Sequence, residues 1–209
     1  MEISFGFSQP LRRIVKTTVV PLSPLINFTA SSTFRLLVVV WSIFKILSSE
    51  NPYSGVLKLR EAGLMQIILP EVENCFGIIQ EGPKHDRVYD IGEHSLLSLK
   101  FCPSKDPLVR FATLVHDIGK LDTVKIAEDG NVTFYGHDVV GGNLVRKVAE
   151  RFRLSKKDIE KIYKLVRWHL FTVDEKQTDS AIRRFIKNVG LENIDDMMDL
   201  RIGDRLGGG

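Results

Sequence analysis

The chain has 209 residues, 44% apolar and 26% charged, with a formal net charge of +3. That is enough for one sizeable core or two small ones. The mild basic bias permits a phosphate-bearing partner without requiring one. The only cysteines, Cys75 and Cys102, make no CxxC pair, which excludes a disulfide framework and fits a reducing cytoplasm.

Residues 1–33 show no sustained period. Pro10, Pro21, Pro24 and a Ser/Thr-rich patch at Thr29 to Thr33 point to a poorly ordered or extended segment. Glu2 and the Arg12-Arg13 pair argue against an export signal, and Asn27-Phe28-Thr29 reads as a chance glycosylation match. The most apolar run, Leu36 to Phe44, is bounded by Arg35 and Lys45. It falls well short of the roughly 20 residues of a spanning helix. It is expected to be a buried or partner-facing helix, with no membrane partner.

Helical periodicity begins near Phe34. Asn51-Pro52 and Gly63 punctuate short helices, and Pro70-Glu71 opens another through Phe76 and Ile79 before Glu81-Gly82-Pro83 breaks it. Glu93 to Phe101 reads as a helix. Asp106-Pro107 caps the next, which runs to His116-Asp117 and ends at Gly119. Val124 to Ile126 and Val132 to Phe134 form a hairpin around Asp129-Gly130. Further helices run from about Asp138 to Phe152, from a Ser155/Asp158 capping box to near His169, from Thr178 to Val189, and from Glu192 to Arg205. The expected fold class is mainly α, a helical bundle with a small β-hairpin insertion and a preceding short-helix region.

The chemistry concentrates around His116-Asp117-Ile118-Gly119-Lys120, with His94 before it and His137, His169 and Asp204 after. Neutral imidazoles and carboxylates suit hard or borderline divalent ions. Four of the five histidines fall at helix ends or starts, and such termini can converge on one cavity in a bundle. Neighbours on a helix point about 100° apart, so His116 and Asp117 share an ion only over a helix terminus. Asp138 reads as a first-turn residue favoured by the helix dipole. Lys120 is either phosphate-facing or a solvated C-terminal charge.

This pattern resembles the HD superfamily of metal-dependent phosphohydrolases. The resemblance implies His94, His116, Asp117 and Asp204 as ligands of one divalent ion. It implies His137 and His169 as the added histidines of members that hold two, with Asp117 bridging and Lys120 facing a substrate phosphate. Asp204 is taken over Asp195, Asp196 and Asp199 on the pattern Ile202-Gly203-Asp204-Arg205-Leu206. A wider resemblance starts at Phe44-Lys45-Ile46-Leu47-Ser48-Ser49-Glu50-Asn51-Pro52. It continues through Leu57 to Leu64, Ile68 to Glu71 and His85 to Leu96. These stretches look like the tRNA nucleotidyltransferase and poly(A) polymerase family beyond its catalytic head. Residues 34–82 would be the post-head RNA- or nucleotide-binding part, and 83–209 the HD domain, truncated or complete at its C-terminus.

Neither the head's Gly-Ser turn nor its paired-carboxylate strand is found, so nucleotide addition by this chain alone is not expected. A truncated or frame-disrupted gene is one reading of that. The activity that the resemblance implies is metal-dependent hydrolysis of phosphomonoesters or 2′,3′-cyclic nucleotide phosphates. Asp117 would orient the nucleophile, and Lys120, with Arg205, would neutralise charge. The partner would be a phosphorylated small molecule or nucleotide. The alternative is a non-catalytic RNA- or tRNA-binding fragment. It would grip backbone through Lys147, Arg151, Arg153, Lys156, Lys157, Lys161, Lys164 and Arg167, unless that run is only a solvated face.

Overall fold

A computed structural model describes residues 32–80, 90–128, 130–171 and 177–208. The expectations for residues 1–31, for 81–89 and for the Asp129 half of the hairpin turn lie outside the described residues. From Ser32 onward the chain forms one compact unit. It is mainly α, as its periodicity requires.

The short-helix region comprises α1 (Ser32–Leu47), α2 (Pro52–Glu61) and two single turns, α3 (Met65–Ile68) and α4 (Pro70–Glu73). The Asn51 side chain accepts from the Ser54 amide at 3.1 Å and Pro52 fills the first turn, which sets where α2 starts. The helix expected from Pro70 through Ile79 is a single turn. Its continuation loses to tertiary pairing: Asp90 caps the next helix through the Glu93 amide at 2.6 Å, its other carboxylate oxygen takes the Gly77 amide at 2.8 Å, and Ile79 bridges to Asp90. In α1, Ile43 and Leu47 are fully buried while Trp41 stays 63% exposed, so the apolar run is only partly internal.

The larger part follows as α5 (Ile91–Phe101), α6 (Pro107–Val115), α7 (Lys120–Thr123), the hairpin β1 (Lys125–Ile126) and β2 (Val132–Thr133), α8 (His137–Arg151), α9 (Lys156–Trp168), α10 (Asp179–Val189), a 3-10 turn at Leu191–Asn193, and α11 (Ile194–Gly207). The hairpin pairs Lys125 with Thr133 and Ile126 with Val132. The cap of α9 is one-sided: Ser155 Oγ accepts from the Asp158 amide at 3.2 Å and donates to Asp158 Oδ2 at 2.7 Å, instead of the reciprocal box. No helix among the described residues is long and apolar enough to cross a membrane.

One core runs through both parts. Phe44, Phe111 and Phe152 contact in series, with centroids 5.5 and 5.8 Å apart. Met65, Leu99, Leu114, Ile162, Leu165 and Met197 complete it, all at most 1% exposed. Buried Arg110 ties α6 to the end of α1, donating to the carbonyls of Leu47 and Ser49 at 2.7 Å. The crossing of α5 and α11 is closest where side chains vanish. A Cβ on Gly203 would lie 2.6 Å from Ser98 O, and one on Gly207 2.6 Å from Ser98 N. That approach brings the adjacent Asp204 toward His94.

Candidate metal centre

The six predicted donors sit on or beside helices, and three of the histidines are held there by a local contact. The last carbonyls of a helix have no internal partner. His116 and His169 occupy the residue after α6 and α9, and their Nδ1 atoms meet those carbonyls: Thr113 O at 2.7 Å and Val166 O at 2.6 Å. His137 repeats the three-residue reach from the start of α8, with Nδ1 2.7 Å from Phe134 O. A ring that donates through Nδ1 turns Nε2 inward as an acceptor, the arrangement that orients metal-binding histidines. His94 differs, since its Nδ1 is buried without a hydrogen-bond partner.

The structure brings all six together around Asp117, whose side chain is 2% exposed. Asp117 Oδ2 lies 3.2 Å from His116 Nε2 and 3.4 Å from His94 Nε2. Asp204 Oδ1 completes that side, 3.2 Å from His94 Nε2 and 3.4 Å from His116 Nε2. Asp117 Oδ1 faces the other way, 3.3 Å from His137 Nε2 and 3.6 Å from His169 Nε2. None of the other late acids, Asp195, Asp196 or Asp199, joins the cluster. Asp196 pairs with Lys161 at 2.8 Å, and Asp138 with Arg167.

The donor set fits a divalent cation on two grounds. Ligand bonds of about 2.1 Å place neighbouring donors roughly 3.0–3.4 Å apart in octahedral or tetrahedral coordination. The Nε2–oxygen and Nε2–Nε2 distances between His94, His116, Asp117 and Asp204 span 3.2–3.4 Å. Both Asp117 oxygens and His137 Nε2 are also buried without a properly aligned hydrogen bond, an arrangement that is costly unless something else satisfies them. Two overlapping sets, His94/His116/Asp204 and His116/Asp117/His169, each have donors close enough to share an ion.

Electrostatics within the metal-free cluster is lopsided. Burial disfavours charge on His116, but the Asp117 and Asp204 carboxylates outweigh it and push the imidazole up to about 10. His94 shifts up by the same contest. Burial would raise Asp117 and Asp204, yet His116, with Lys120 for the first and His94 for the second, holds both below the usual carboxylate range. His169 moves down, because burial prevails there.

Around the donors, Lys120 Nζ lies 2.6 Å from Asp117 Oδ2 and 3.1 Å from Gln80 Oε1, so it faces inward instead of being a solvated charge. Arg205 is exposed and takes no part. Arg201 does: it donates to the His169 carbonyl and sits 3.9 Å from Asp204 Oδ2. Sequence reasoning missed it although the signal was available, because residues three apart share a helix face and adjacent ones do not. The cluster is most open at Asp204, whose side chain is 23% exposed, beside Arg201.

Gly119 is not the left-handed helix stop its position suggests. Its φ is −71°, and it leads into α7. Its role is space: an added Cβ would overlap His137 O and lie 2.5 Å from the Gly141 nitrogen, both backbone atoms of α8. Gly119→Ala is therefore expected to destabilise the fold by about 2 kcal/mol in urea denaturation. It should also weaken metal uptake, because α8 carries His137.

A mainly helical bundle with a buried histidine–carboxylate cluster defines the class: a helical protein whose clustered donors could hold a divalent cation. The chain belongs to the HD domain family, whose model matches residues 86–206. Residues 43–76 match a second model, described as the probable RNA and SrmB-binding site of polymerase A. Over 164 residues, 77% of this chain, it is 34% identical to an A-adding tRNA nucleotidyltransferase of Deinococcus radiodurans, covering 37% of that protein. Over 134 residues, 63% of this chain, it is 35% identical to a multifunctional CCA protein of Legionella pneumophila and 36% identical to one of Neisseria meningitidis, covering 32% and 31% of them. The chain thus spans about a third of the length of these relatives.

Proposed function

We propose that the chain is a metal-dependent phosphohydrolase, acting on phosphomonoesters or 2′,3′-cyclic nucleotide phosphates. The single observation that carries this reading is the convergence of four imidazoles on the two oxygens of Asp117, with Asp204 against two of those imidazoles. His94, His116, Asp117 and Asp204 would hold one cation. His137 and His169 would hold a second, with Asp117 between them. A bound cation supplies Lewis acidity and makes water acidic enough to yield a nucleophile near neutral pH.

The chain's own residues do the rest. The Asp117 carboxylate orients the attacking water. Lys120 Nζ meets a phosphate oxygen, and the Arg201 guanidinium neutralises charge gathering at the open Asp204 edge. The Nδ1 bonds of His116, His137 and His169 keep the rings from turning as the substrate arrives.

The test uses the purified chain, stripped with chelator and reloaded in turn with Mn²⁺, Co²⁺, Ni²⁺, Mg²⁺ and Zn²⁺. Hydrolysis of p-nitrophenyl phosphate or a 2′,3′-cyclic nucleotide should appear only after reloading, with bound metal found by elemental analysis. Activity indifferent to stripping, or no bound metal in any preparation, rejects the reading.

A second reading, RNA or tRNA binding, draws support from the match over residues 43–76. The basic run on α8 and α9 lends it less than its sequence suggests. Arg151 pairs with Glu71 at 2.6 Å, Lys161 with Asp106 at 2.7 Å, and Arg167 with Asp138. Lys147, Lys156 and Lys157 remain exposed.

A further inference from the structure

A cavity of about 220 Å³ opens between α2 and α5, away from the six donors. It is below the roughly 300–1,000 Å³ of pockets that enclose a whole drug-sized ligand, and has room for a single planar ring system. Leu57 and Leu96 give it apolar walls, and Tyr53, Arg60, Phe76 and Glu93 give it its chemistry.

Arg60 is held as a flat plate. Its guanidinium carbon sits 3.6 Å from the centre of the Phe76 ring, and its Nε lies 3.2 Å from Glu73 Oε1. Phe76 cannot sink, because Gly92 backs it so closely that a Cβ there would lie 2.5 Å from Phe76 Cδ2. One guanidinium face is thus spent on Phe76, and the side chain still keeps 37% of its exposure and lines the cavity. A fixed guanidinium plane is a platform on which an unstacked base can lie. Tyr53 adds an aromatic wall, with Lys100 Nζ 5.4 Å from its ring centre. Glu93 is exposed, and its carboxylate has no ion-pair partner among the described residues. An ionised carboxylate only accepts hydrogen bonds, so it favours an exocyclic amine such as adenine's over the uracil edge, whose single N–H is flanked by two carbonyl oxygens that repel it.

We propose that this cavity seats one amino-bearing nucleobase of a single-stranded RNA: the base stacks on Arg60, its exocyclic amine donates to Glu93, and Lys100 stands beside Tyr53 for a backbone phosphate. Tyr53, Leu57, Arg60 and Phe76 all lie within the 43–76 match, but that match does not single out a base pocket. The inference does not depend on the hydrolase reading, since none of these residues belongs to the metal cluster.

Fluorescence anisotropy of the full chain with short labelled oligoadenylate, oligouridylate and abasic strands tests it. Arg60→Lys keeps the charge and removes the plane, and should weaken oligoadenylate binding about tenfold, the scale of one lost base stack. Glu93→Ala should erase a preference for oligoadenylate over oligouridylate. Melting temperatures and phosphate-ester hydrolysis should stay at wild-type values in Arg60→Lys, which keeps failure here distinct from failure of the hydrolase reading. Adenosine monophosphate as competitor separates the two sources of a base. Displacement gives the pocket to free nucleotides as well, and no displacement reserves it for a strand. Equal affinity of wild type and Arg60→Lys, equal affinity for abasic and base-bearing strands, or no binding at all overturns the proposal.

Discussion

Asp117→Ala should abolish metal-dependent hydrolysis while leaving the helical content unchanged. Among the described residues, Asp117 is the one that lies within 3.6 Å of all four cluster histidines. Its loss therefore removes a carboxylate oxygen from each half of the cluster at once. A catalytic cation contributes several kcal/mol of transition-state stabilisation, so turnover should fall by about a thousandfold or more. Calorimetry supplies a second readout. Metal at about a hundred times its dissociation constant stabilises a native protein by about 2.7 kcal/mol, roughly 5–10 °C for a domain of this size. Wild type should show that shift and Asp117→Ala should not. The side chain is fully enclosed but lies at a polar junction outside the apolar core, so the variant should still fold. Retained hydrolysis, or an undiminished metal-induced shift, would remove Asp117 from the mechanism.

The six clustered residues were legible in the sequence in two ways: the four histidines and Asp117 by their chemistry near helix boundaries, and Asp204, one of four acids in its helix, only by the pattern around it. The boundaries were legible too: Asn51-Pro52, Asp106-Pro107, Ser155 and Thr178 all act as local caps, visible without tertiary information. What could not be read was anything fixed by a partner distant in sequence. The helix after Pro70 stops at Glu73 because Asp90 takes the Gly77 amide and bridges Ile79. Gly119 looked like a helix stop and is instead a point where α8 needs room. Arg110, a charged residue in an apolar helix, is buried because carbonyls at the end of α1 receive it, a contact spanning more than sixty residues. The basic run likewise looked free because its acids, Glu71, Asp106 and Asp196, come from other helices.

Metal affinity should rise steeply with pH, and the metal-free protein should move the opposite way in stability. In the metal-free cluster the neighbouring carboxylates push His116 up to about 10 and shift His94 upward, so at neutral pH His116 carries its proton on the nitrogen that a cation held there would need. Binding expels that proton. Below pH 10, apparent affinity should therefore grow about tenfold per pH unit for each proton released. Competition titrations at pH 6, 7 and 8, with proton release followed in weak buffer, measure both quantities. Without metal the sign reverses. The His116 pKa is higher in the folded chain than in the unfolded one, so the carboxylate–imidazolium pairing contributes fully below about pH 6.5 and is lost as pH rises toward about 10. Thermal unfolding of the stripped chain should become easier across that window, while the metal-loaded chain gains ground. The two curves should separate as pH rises. Parallel curves, or metal binding without proton release, would mean that His116 is neutral in the metal-free fold and that Asp117 and Asp204 do not act on it as the geometry requires.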